Sequence, residues 1–174
     1  MAKILIVVDM QNDFIDGALG SSEAVAIVPY VKQKIESFEG KVFFTRDTHF
    51  ENYLKTNEGK HLPVEHCIEN THGWNIIEEL DVVECEHINK TSFGHPYWDI
   101  IKDSESILAR FLGEIEIVGV CTDICVVSNA LILKALYPEI NITVDASCCA
   151  GVTPESHQAA LTTMKMCQIN VIGE

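Results

Sequence analysis

The strongest constraint on the fold is an alternation of short apolar runs with longer helical patterns. The first run, residues 4–8, is continuous and β-branched, which is typical of a strand buried on both faces of a sheet. Further strands are predicted at 42–45, 82–88, 115–120, 141–144 and 171–172. Strands that alternate with helices indicate a parallel sheet covered on both faces. We therefore expect an α/β fold with three layers, α/β/α, and a mainly parallel, doubly wound sheet of about six strands.

The patterns between these runs predict helices at 21–38, 96–111, 124–137 and 154–167. Ser21 or Ser22 can cap the first helix, and Gly40 can act as its stop signal. Thr153 can cap the last helix, with Pro154 in its first turn. A long polar segment after the second run has no regular period, so we expect it to be irregular.

Composition narrows the classes of function. Among 174 residues there are 12 basic and 26 acidic side chains, and the formal charge of −14 argues against nucleic acid as a partner. No apolar run approaches the ~18 residues that a membrane span needs, which argues against a membrane partner. The N-terminal apolar run is too short for a secretory signal, and an acidic residue follows it directly, so we expect a cytoplasmic protein. With no linker or repeat, we expect one domain over residues 1–174.

The chain has seven cysteines, an odd number. Without a secretory signal, reduced thiols are a better interpretation than a disulfide framework. Cys121 and Cys125 are four residues apart and could form half of a zinc site, although no second pair has matching spacing. Cys148 and Cys149 are adjacent, and a disulfide between neighbours is strained. They leave open an alternative from a different class, a non-catalytic thiol sensor or interaction subunit.

Parallel sheets carry their sites at the carboxyl ends of the strands, so the residues that follow the apolar runs matter most. Asp9, Lys90 and Cys125 are such residues. A carboxylate, a lysine and a cysteine form a plausible set for covalent catalysis. Cys125 lies in the first turn of a predicted helix, where the helix dipole and Lys90 would favour the thiolate, and Asp9 could take the thiol proton. On position alone each residue also has a structural explanation, as a turn residue, a solvated charge or a small core side chain.

Four segments contain these residues and their neighbours: VDMQNDF at 8–14, TRDTH at 45–49, KTSF at 90–93 and VGVCTDICV at 118–126. In order and spacing they resemble the isochorismatase-like cysteine hydrolases and, within that superfamily, the nicotinamidase/pyrazinamidase family. The resemblance covers nearly the whole chain, and the stretch 145–157 is also similar. The fourth segment is specific for the superfamily but not for a substrate.

The resemblance implies a catalytic triad of Asp9, Lys90 and Cys125. It also implies a non-proline cis peptide bond between Val120 and Cys121. The backbone N–H groups of Cys121 and Cys125 would then form an oxyanion hole. The implied reaction is hydrolysis of a small-molecule amide, in which Cys125 attacks the carboxamide carbon and water releases the acid from a thioester.

The resemblance further implies a divalent metal ion beside the triad. Asp47 and His49 match the first two ligands, and His66 matches a third. Glu58 lies where some members place a fourth ligand. Carboxylate and imidazole ligands suit zinc, manganese or iron, of which zinc is our first expectation. Independently of the resemblance, an Asp and a His two residues apart on an extended segment can point the same way.

The family activity implied is conversion of nicotinamide to nicotinate and ammonia, with the metal holding the pyridine nitrogen. Phe14 and Tyr97 match aromatic positions of the substrate pocket, and Trp74 or Trp98 could serve there or belong to the core. The segment 70–79 departs from the commoner pattern that supplies a pocket tryptophan, which leaves the substrate open. A homo-oligomer is also implied by the resemblance.

One alternative within the superfamily remains open. A related hydrolase could act on another small amide, or on a carbamoyl or ureido substrate, and would keep the triad without a ring-binding metal. An isochorismatase is disfavoured because those enzymes cleave a vinyl ether without needing the cysteine, so Cys125 would be unexplained.

Overall fold

A six-stranded sheet forms the centre of the chain over the residues that the structure describes, which are 2–80, 82, 85–98 and 112–174. This computed structural model has strands at Ala2–Val8 (β1), Lys41–Asp47 (β2), Glu86–Lys90 (β3), Leu112–Val120 (β4), Asn141–Ala150 (β5) and Asn170–Ile172 (β6). Their order across the sheet is β3-β2-β1-β4-β5-β6, and neighbouring strands pair in parallel. The predicted α/β fold with a doubly wound, parallel sheet is confirmed.

Helices cover both faces of the sheet. They lie at Asn12–Ile15 (α1), Ser22–Ser37 (α2), Asn57–His61 (α3), Val127–Leu136 (α4) and Pro154–Met166 (α5). On one face, Val31 of α2 packs in a cluster with Leu5 of β1. On the other face, Leu133 of α4 and Met164 of α5 share a cluster with Ile6 of β1. Because side chains alternate along a strand, β1 contributes to both apolar layers. Within the described ranges, no helix is long and apolar enough to cross a membrane.

The order of the strands reverses between β1 and β4, which are neighbours in the sheet but distant in sequence. From β1 the chain moves outward through β2 and β3, and from β4 it moves in the opposite direction through β5 and β6. Such a reversal opens a crevice at the carboxyl ends of the two central strands. Asp9 follows β1 and Cys121 follows β4, so the two predicted site residues lie at this crevice.

Helix α2 begins as predicted but ends by different means. The Ser21 side chain accepts a hydrogen bond from the Ala24 N–H at 3.0 Å and caps the helix. The helix ends at Ser37, and the prediction that Gly40 is its stop signal is wrong. Gly40 instead lies against the backbone of β1, where an added Cβ would be 2.4 Å from the carbonyl oxygen of Lys3. Glycine is required there by its close approach to strand β1 rather than by helix capping.

Strand β3 lies further along the chain than the apolar pattern predicts. It covers Glu86–Lys90 rather than 82–88, and Val82 lies outside it. The parallel ladder with β2 pairs Phe43 with Glu86 and Asp47 with Lys90. An edge strand has one free side and needs no continuous apolar run, so its pairing with β2 outweighs local hydropathy. Lys90 is therefore the last residue of the strand.

Strand β5 and the predicted helix 96–111 also differ from the prediction. β5 continues past Val144 to Ala150 after a shift in its register with β4, so Cys148 and Cys149 lie within a strand. Of the predicted helix 96–111, residues 96–98 form a turn and 99–111 lie outside the described residues.

Helix α5 begins with the predicted cap. Thr153 precedes Pro154, and its side chain accepts a hydrogen bond from the Ser156 N–H at 3.1 Å. The Ser156 hydroxyl in turn accepts from the Thr153 N–H at 3.1 Å, which completes a capping box. The two otherwise unpaired N–H groups at this helix start are therefore satisfied.

Thr153→Ala should lower the free energy of unfolding by about 1 kcal/mol, because the Ser156 N–H loses its acceptor. The matched control is Thr162→Ala in the exposed middle of α5, which should leave the free energy unchanged or slightly higher because alanine has the greater helix propensity. Urea denaturation followed by circular dichroism measures both variants. Equal losses in the two would contradict the capping role.

Candidate active site

Asp9 is the first residue after β1, and its side chain is fully buried at the crevice. Its φ of +49° lies in the left-handed region, which aspartate adopts more readily than most residues. The Asp9 N–H donates to the Thr45 carbonyl oxygen at 3.2 Å, and the Thr45 hydroxyl donates to Asp9 Oδ1 at 2.7 Å. Strand β2 therefore fixes the direction of the carboxylate and leaves its second oxygen, Oδ2, for Lys90.

The ammonium group of Lys90, at the end of β3, contacts two carboxylates and a thiol. Its Nζ is 2.6 Å from Asp9 Oδ2, 3.4 Å from Asp47 Oδ1 and 3.6 Å from Cys125 Sγ. The side chains of Lys90 and Asp9 are both 0% exposed. Removing one partner of such a pair leaves a buried, uncompensated charge, which typically costs about 3–5 kcal/mol. The three residues of the predicted triad are thus in contact, with Lys90 between the other two.

Cys125 belongs to a π-helical turn, Thr122–Val126, that joins β4 to α4. This turn takes the place of the regular first helical turn that the sequence predicts there. The Val126 N–H donates to the Cys121 carbonyl oxygen at 3.0 Å. The peptide bond between Val120 and Cys121 is cis, as predicted.

The electrostatics of the site keep the Cys125 thiol protonated. Burial raises the pKa of Cys125 well above its usual value, Asp9 and Asp47 raise it further, and Lys90 acts in the opposite direction. Burial also raises the pKa of Asp9, although Lys90 opposes this. Burial lowers the pKa of Lys90, but the charges of Asp9, Cys125 and Asp47 outweigh it and raise that pKa. Lys90 acts as the sequence predicts, yet burial and the two carboxylates outweigh it and the pKa of the Cys125 thiol is raised.

Four side chains, from the end of β2 and the segment after it, converge beside this cluster. They are Asp47, His49, Glu58 and His66, and one ligand atom of each lies within 4.8 Å of the others. His49 Nε2 is 3.0 Å from Asp47 Oδ2 and 3.5 Å from Glu58 Oε1. His66 Nε2 is 3.8 Å and 3.7 Å from the same two oxygens. Two imidazole nitrogens and two carboxylates suit zinc, manganese or iron, so the four residues can hold a divalent metal ion.

A proton on His49 balances the negative charge of this metal-ligand cluster. Burial lowers the pKa of His49, but hydrogen bonds and charges from Asp47 and Glu58 outweigh burial and raise it to about 9. Burial raises the pKa of Asp47, but His49 and Lys90 bring it below its usual value. A divalent cation would replace the proton on His49, since metal ligands bind in their deprotonated form.

Aromatic and backbone contacts orient the two imidazoles. His66 Nδ1 donates to the Val64 carbonyl oxygen at 2.8 Å, which leaves Nε2 available as a ligand atom. The buried ring of Tyr53 lies 4.6 Å from the His49 ring and 5.0 Å from the His66 ring, measured between centroids. Sequence reasoning missed Tyr53, because a tyrosine in a polar loop carries no signal of contact with distant histidines.

Gln11 and Asp13, which follow β1, hold the backbone of the metal-ligand cluster and were also missed. Gln11 Nε2 donates to the Asp47 carbonyl oxygen at 2.8 Å, and its Oε1 accepts from the Asp47 N–H at 2.7 Å. Asp13 Oδ2 accepts from the Cys67 N–H at 2.7 Å, next to His66. Both residues lie in the segment 8–14 that carries the family resemblance, which was the only signal available for them.

A cavity of about 1030 Å³ opens beside both clusters. Its lining includes Cys125, the four metal-ligand residues and the predicted pocket residue Phe14. Phe93, from the loop after β3, lines it as well, although sequence reasoning gave it no role. Phe14 and Phe93 therefore supply apolar walls for a small ligand near the thiol.

The other predicted aromatic positions lie elsewhere. Tyr97 is 58% exposed, its ring packs 5.9 Å from that of His95, and it is not among the described residues that line the cavity. Trp74 and Trp98 are buried in the interior, and neither is among those lining residues. The structure therefore does not bring Tyr97 to the site.

The parallel sheet and the buried contact of Asp9, Lys90 and Cys125 define an α/β protein with a cysteine-hydrolase type of site. A family model described as the Isochorismatase domain matches residues 3–173. The chain therefore belongs to the isochorismatase family.

Individual relatives extend over almost the full length of the chain. A nicotinamidase of Schizosaccharomyces pombe is 26% identical and covers 98% of this chain and 92% of that protein. The crystal structure of a Pyrococcus horikoshii pyrazinamidase in complex with zinc is 29% identical, with a TM-score of 0.78 and 100% of both chains covered. The pyrazinamidase/nicotinamidase structure from Streptococcus mutans UA159 is 28% identical, with a TM-score of 0.79 over 98% of this chain and 100% of that chain.

Replacing a ligand of the metal cluster should weaken binding of a divalent ion. His66→Ala should lower the affinity for Zn²⁺ on the order of 100-fold, because an imidazole ligand and its hydrogen-bonded support are lost together. His72→Ala, at an exposed histidine outside the cluster, is the matched control and should bind as the unmodified protein does. Competition with a chromophoric chelator measures the affinities. Equal affinities for all three proteins would rule out this metal site.

Asp9→Asn should change thiol reactivity and turnover in opposite directions. Removing the carboxylate lowers the pKa of Cys125, because Asp9 raises it while Lys90 remains to stabilise the thiolate. At pH 8 the alkylation of Cys125 by iodoacetamide should accelerate about tenfold for each unit by which that pKa falls. Amide hydrolysis should fall by a factor on the order of 100 or more, since the proton acceptor is lost.

The exposed Asp16→Asn serves as the charge control for this experiment and should change neither rate. Peptide mapping by mass spectrometry assigns the alkylated cysteine. Slower alkylation of Cys125 in the Asp9→Asn protein would show that Asp9 lowers the thiol pKa, contrary to this account.

Proposed function

We propose that this chain is a nicotinamidase-like amidohydrolase that converts nicotinamide to nicotinate and ammonia through a thioester on Cys125. The observation that carries the proposal is the contact of Lys90 Nζ with Asp9 Oδ2 at 2.6 Å and with Cys125 Sγ at 3.6 Å, beside a cavity that the metal-ligand cluster also lines. The nicotinamidase and pyrazinamidase relatives support the choice of substrate.

In the first half of the reaction, Cys125 Sγ attacks the carboxamide carbon while its proton passes to the Asp9 carboxylate. Because burial raises the pKa of the thiol, Asp9 is needed to accept its proton in this step. Backbone N–H groups of Cys121 and Cys125 stabilise the oxyanion, a contribution that is typically about 3–4 kcal/mol in such sites. Asp9 then returns the proton to the leaving nitrogen, the C–N bond breaks, and ammonia departs.

In the second half, water attacks the thioester carbon and gives its proton to Asp9. The C–S bond breaks, Asp9 returns the proton to Cys125 Sγ, and nicotinic acid leaves and loses its remaining proton to water as nicotinate. Lys90 stays protonated throughout, because three anionic or polarisable groups surround it. Its role is to keep Asp9 in position and to offset negative charge as it develops on the thiolate.

The metal-ligand cluster would hold a divalent ion, zinc in our proposal, through Asp47, His49, Glu58 and His66. When bound, the ion supplies a Lewis-acid site for the pyridine nitrogen of the substrate. The ring centroids of Phe14 and His66 are 5.5 Å apart. Phe14 would therefore pack against the pyridine ring of the substrate on the side where His66 lies.

The environment of Cys148 and Cys149 speaks against the thiol-sensor alternative. Both side chains are buried, and burial raises the pKa of each thiol. A redox sensor needs an exposed thiol with a low pKa. The expected cytoplasmic location and homo-oligomeric state stay predictions.

Cys125→Ala should abolish ammonia release from nicotinamide, because no other group forms the thioester. Cys167→Ala, which alters an exposed thiol at the end of α5, is the matched control and should keep full activity. A coupled ammonia assay with nicotinamide, pyrazinamide and small ureido compounds, with and without added Zn²⁺, tests both variants and the wild type.

Retained ammonia release in the Cys125→Ala protein would overturn the covalent mechanism. Wild-type activity on ureido compounds alone, without dependence on metal, would instead favour the related hydrolase of carbamoyl or ureido substrates.

A further inference from the structure

Asn129 of α4 is a fully buried amide that joins the turn of Cys125 to the loop after β3. Its Nδ2 donates to the Cys125 carbonyl oxygen at 2.9 Å and to the Phe93 carbonyl oxygen at 3.4 Å. Its Oδ1 accepts from the His95 N–H at 2.9 Å and from the Trp98 indole N–H at 3.0 Å. A side-chain amide has two N–H donors and two lone pairs on oxygen, so these four bonds use its full capacity.

The amide nitrogen of Asn129 holds the peptide group that follows the nucleophile, Cys125. The Cys125 carbonyl lies where the π-helical turn Thr122–Val126 passes into α4, so the helical hydrogen-bond pattern changes at this point. A fixed side-chain donor there restrains the peptide that follows Cys125. Sγ of the same residue contacts Lys90 Nζ at 3.6 Å, so the restraint lies next to that contact.

The amide oxygen of Asn129 holds the loop after β3, which forms the opposite wall of the cavity. The loop after β3 leaves Lys90 and supplies Thr91, Ser92 and Phe93 to the cavity lining. The same loop is held at two further points, the His95 N–H and the indole of Trp98, by the one oxygen of Asn129. This loop and the nucleophile turn are therefore joined through a single side chain.

We infer that Asn129 is a positioning residue that sets the separation between the Cys125 thiol and the Phe93 wall of the cavity. The inference rests on the proposed function of Cys125 as the nucleophile. It goes beyond that function because it identifies which side chain sets the width of the substrate cleft. Leucine branches at the same carbon with the same number of heavy atoms, so its substitution removes all four hydrogen bonds of Asn129 without a change of branching.

Asn129→Asp is the sharpest test because the carboxyl group has nearly the shape of the amide. As a neutral acid it keeps one donor, and as a carboxylate it has none. The alkylation rate of Cys125, divided by the wild-type rate, should therefore fall about tenfold between about pH 5 and pH 9 as the introduced group ionises.

This pH dependence can be assigned to the introduced group alone. The four partners of Asn129 are three backbone groups and an indole, which do not titrate. The nearby titratable groups Asp9, Lys90, Cys125 and the imidazole of His95 are present in both proteins.

A carboxylate at position 129 would also raise the pKa of Cys125 by its charge, as Asp9 and Asp47 do, so the uncharged Asn129→Leu protein is needed beside it. Slower alkylation of Cys125 in Asn129→Leu as well assigns the effect to the lost donor. Asn141→Asp, at the exposed start of β5, adds the same charge and should give a constant ratio.

Asn129→Leu removes both halves of the amide. It should lower kcat for nicotinamide about tenfold at every pH and raise KM about threefold or more, since the Phe93 wall is released as well. The emission of Trp98 should shift to shorter wavelength because its indole loses an acceptor. The chain has two tryptophans, so a Trp74→Phe background isolates this signal. Asn129→Asp keeps the indole acceptor and should not shift the emission.

The inference would be overturned if Cys125 of a folded Asn129→Asp protein were alkylated at the wild-type rate at pH 9. A shifted Trp98 emission with unchanged Cys125 reactivity in Asn129→Leu would also overturn it, because the amide would then only hold the fold. If Asn129→Leu does not fold, the pH series on Asn129→Asp still decides. If the wild-type protein releases no ammonia from nicotinamide, the proposed function fails, whereas the alkylation ratio needs no substrate and still tests the inference.

Discussion

The buried ammonium group of Lys90 is the constraint on which the rest of the site depends. A charge removed from water is tolerated only when anions surround it at close range, and Asp9 and Asp47 provide them from the ends of β1 and β2. Cys125 approaches from the turn after β4. The charge of Lys90 is therefore compensated only when β1, β2 and β3 are in register and the turn of Cys125 is in place.

Asp47 couples the metal-ligand cluster to the thiol. Its Oδ1 is 3.4 Å from Lys90 Nζ, and its Oδ2 is 3.0 Å from His49 Nε2. The same carboxylate is among the groups that raise the pKa of Cys125. Positive charge in the cluster would engage Asp47 and act in the same direction as Lys90, in favour of the thiolate. Substrate placement and thiol activation are thus electrostatically linked through one side chain.

Short-range sequence patterns predict most of the strands and helix caps. The features that they do not predict depend on contacts between residues far apart in the sequence. The strand β1, the Ser21 and Thr153 caps and the residues at strand ends follow from patterns within a few positions. The limits of β3 depend on pairing with β2, which a hydropathy pattern does not contain. Gln11 reaches Asp47 across 36 positions, so no spacing rule identifies it. Tyr97 matched a family position by its distance from Lys90, yet its side chain is exposed.

The π-helical turn reconciles two demands on the segment after β4. Helix α4 must present Ala130 and Leu133 to the core, and the residues before it must present Cys125 to Lys90. A π-helical turn holds one residue more than an α-helical turn, so it rotates the preceding residues by about 100° relative to the regular helix. The buried amide of Asn129 lies one turn after Cys125 and bonds to its carbonyl, which restrains the backbone where the two geometries meet.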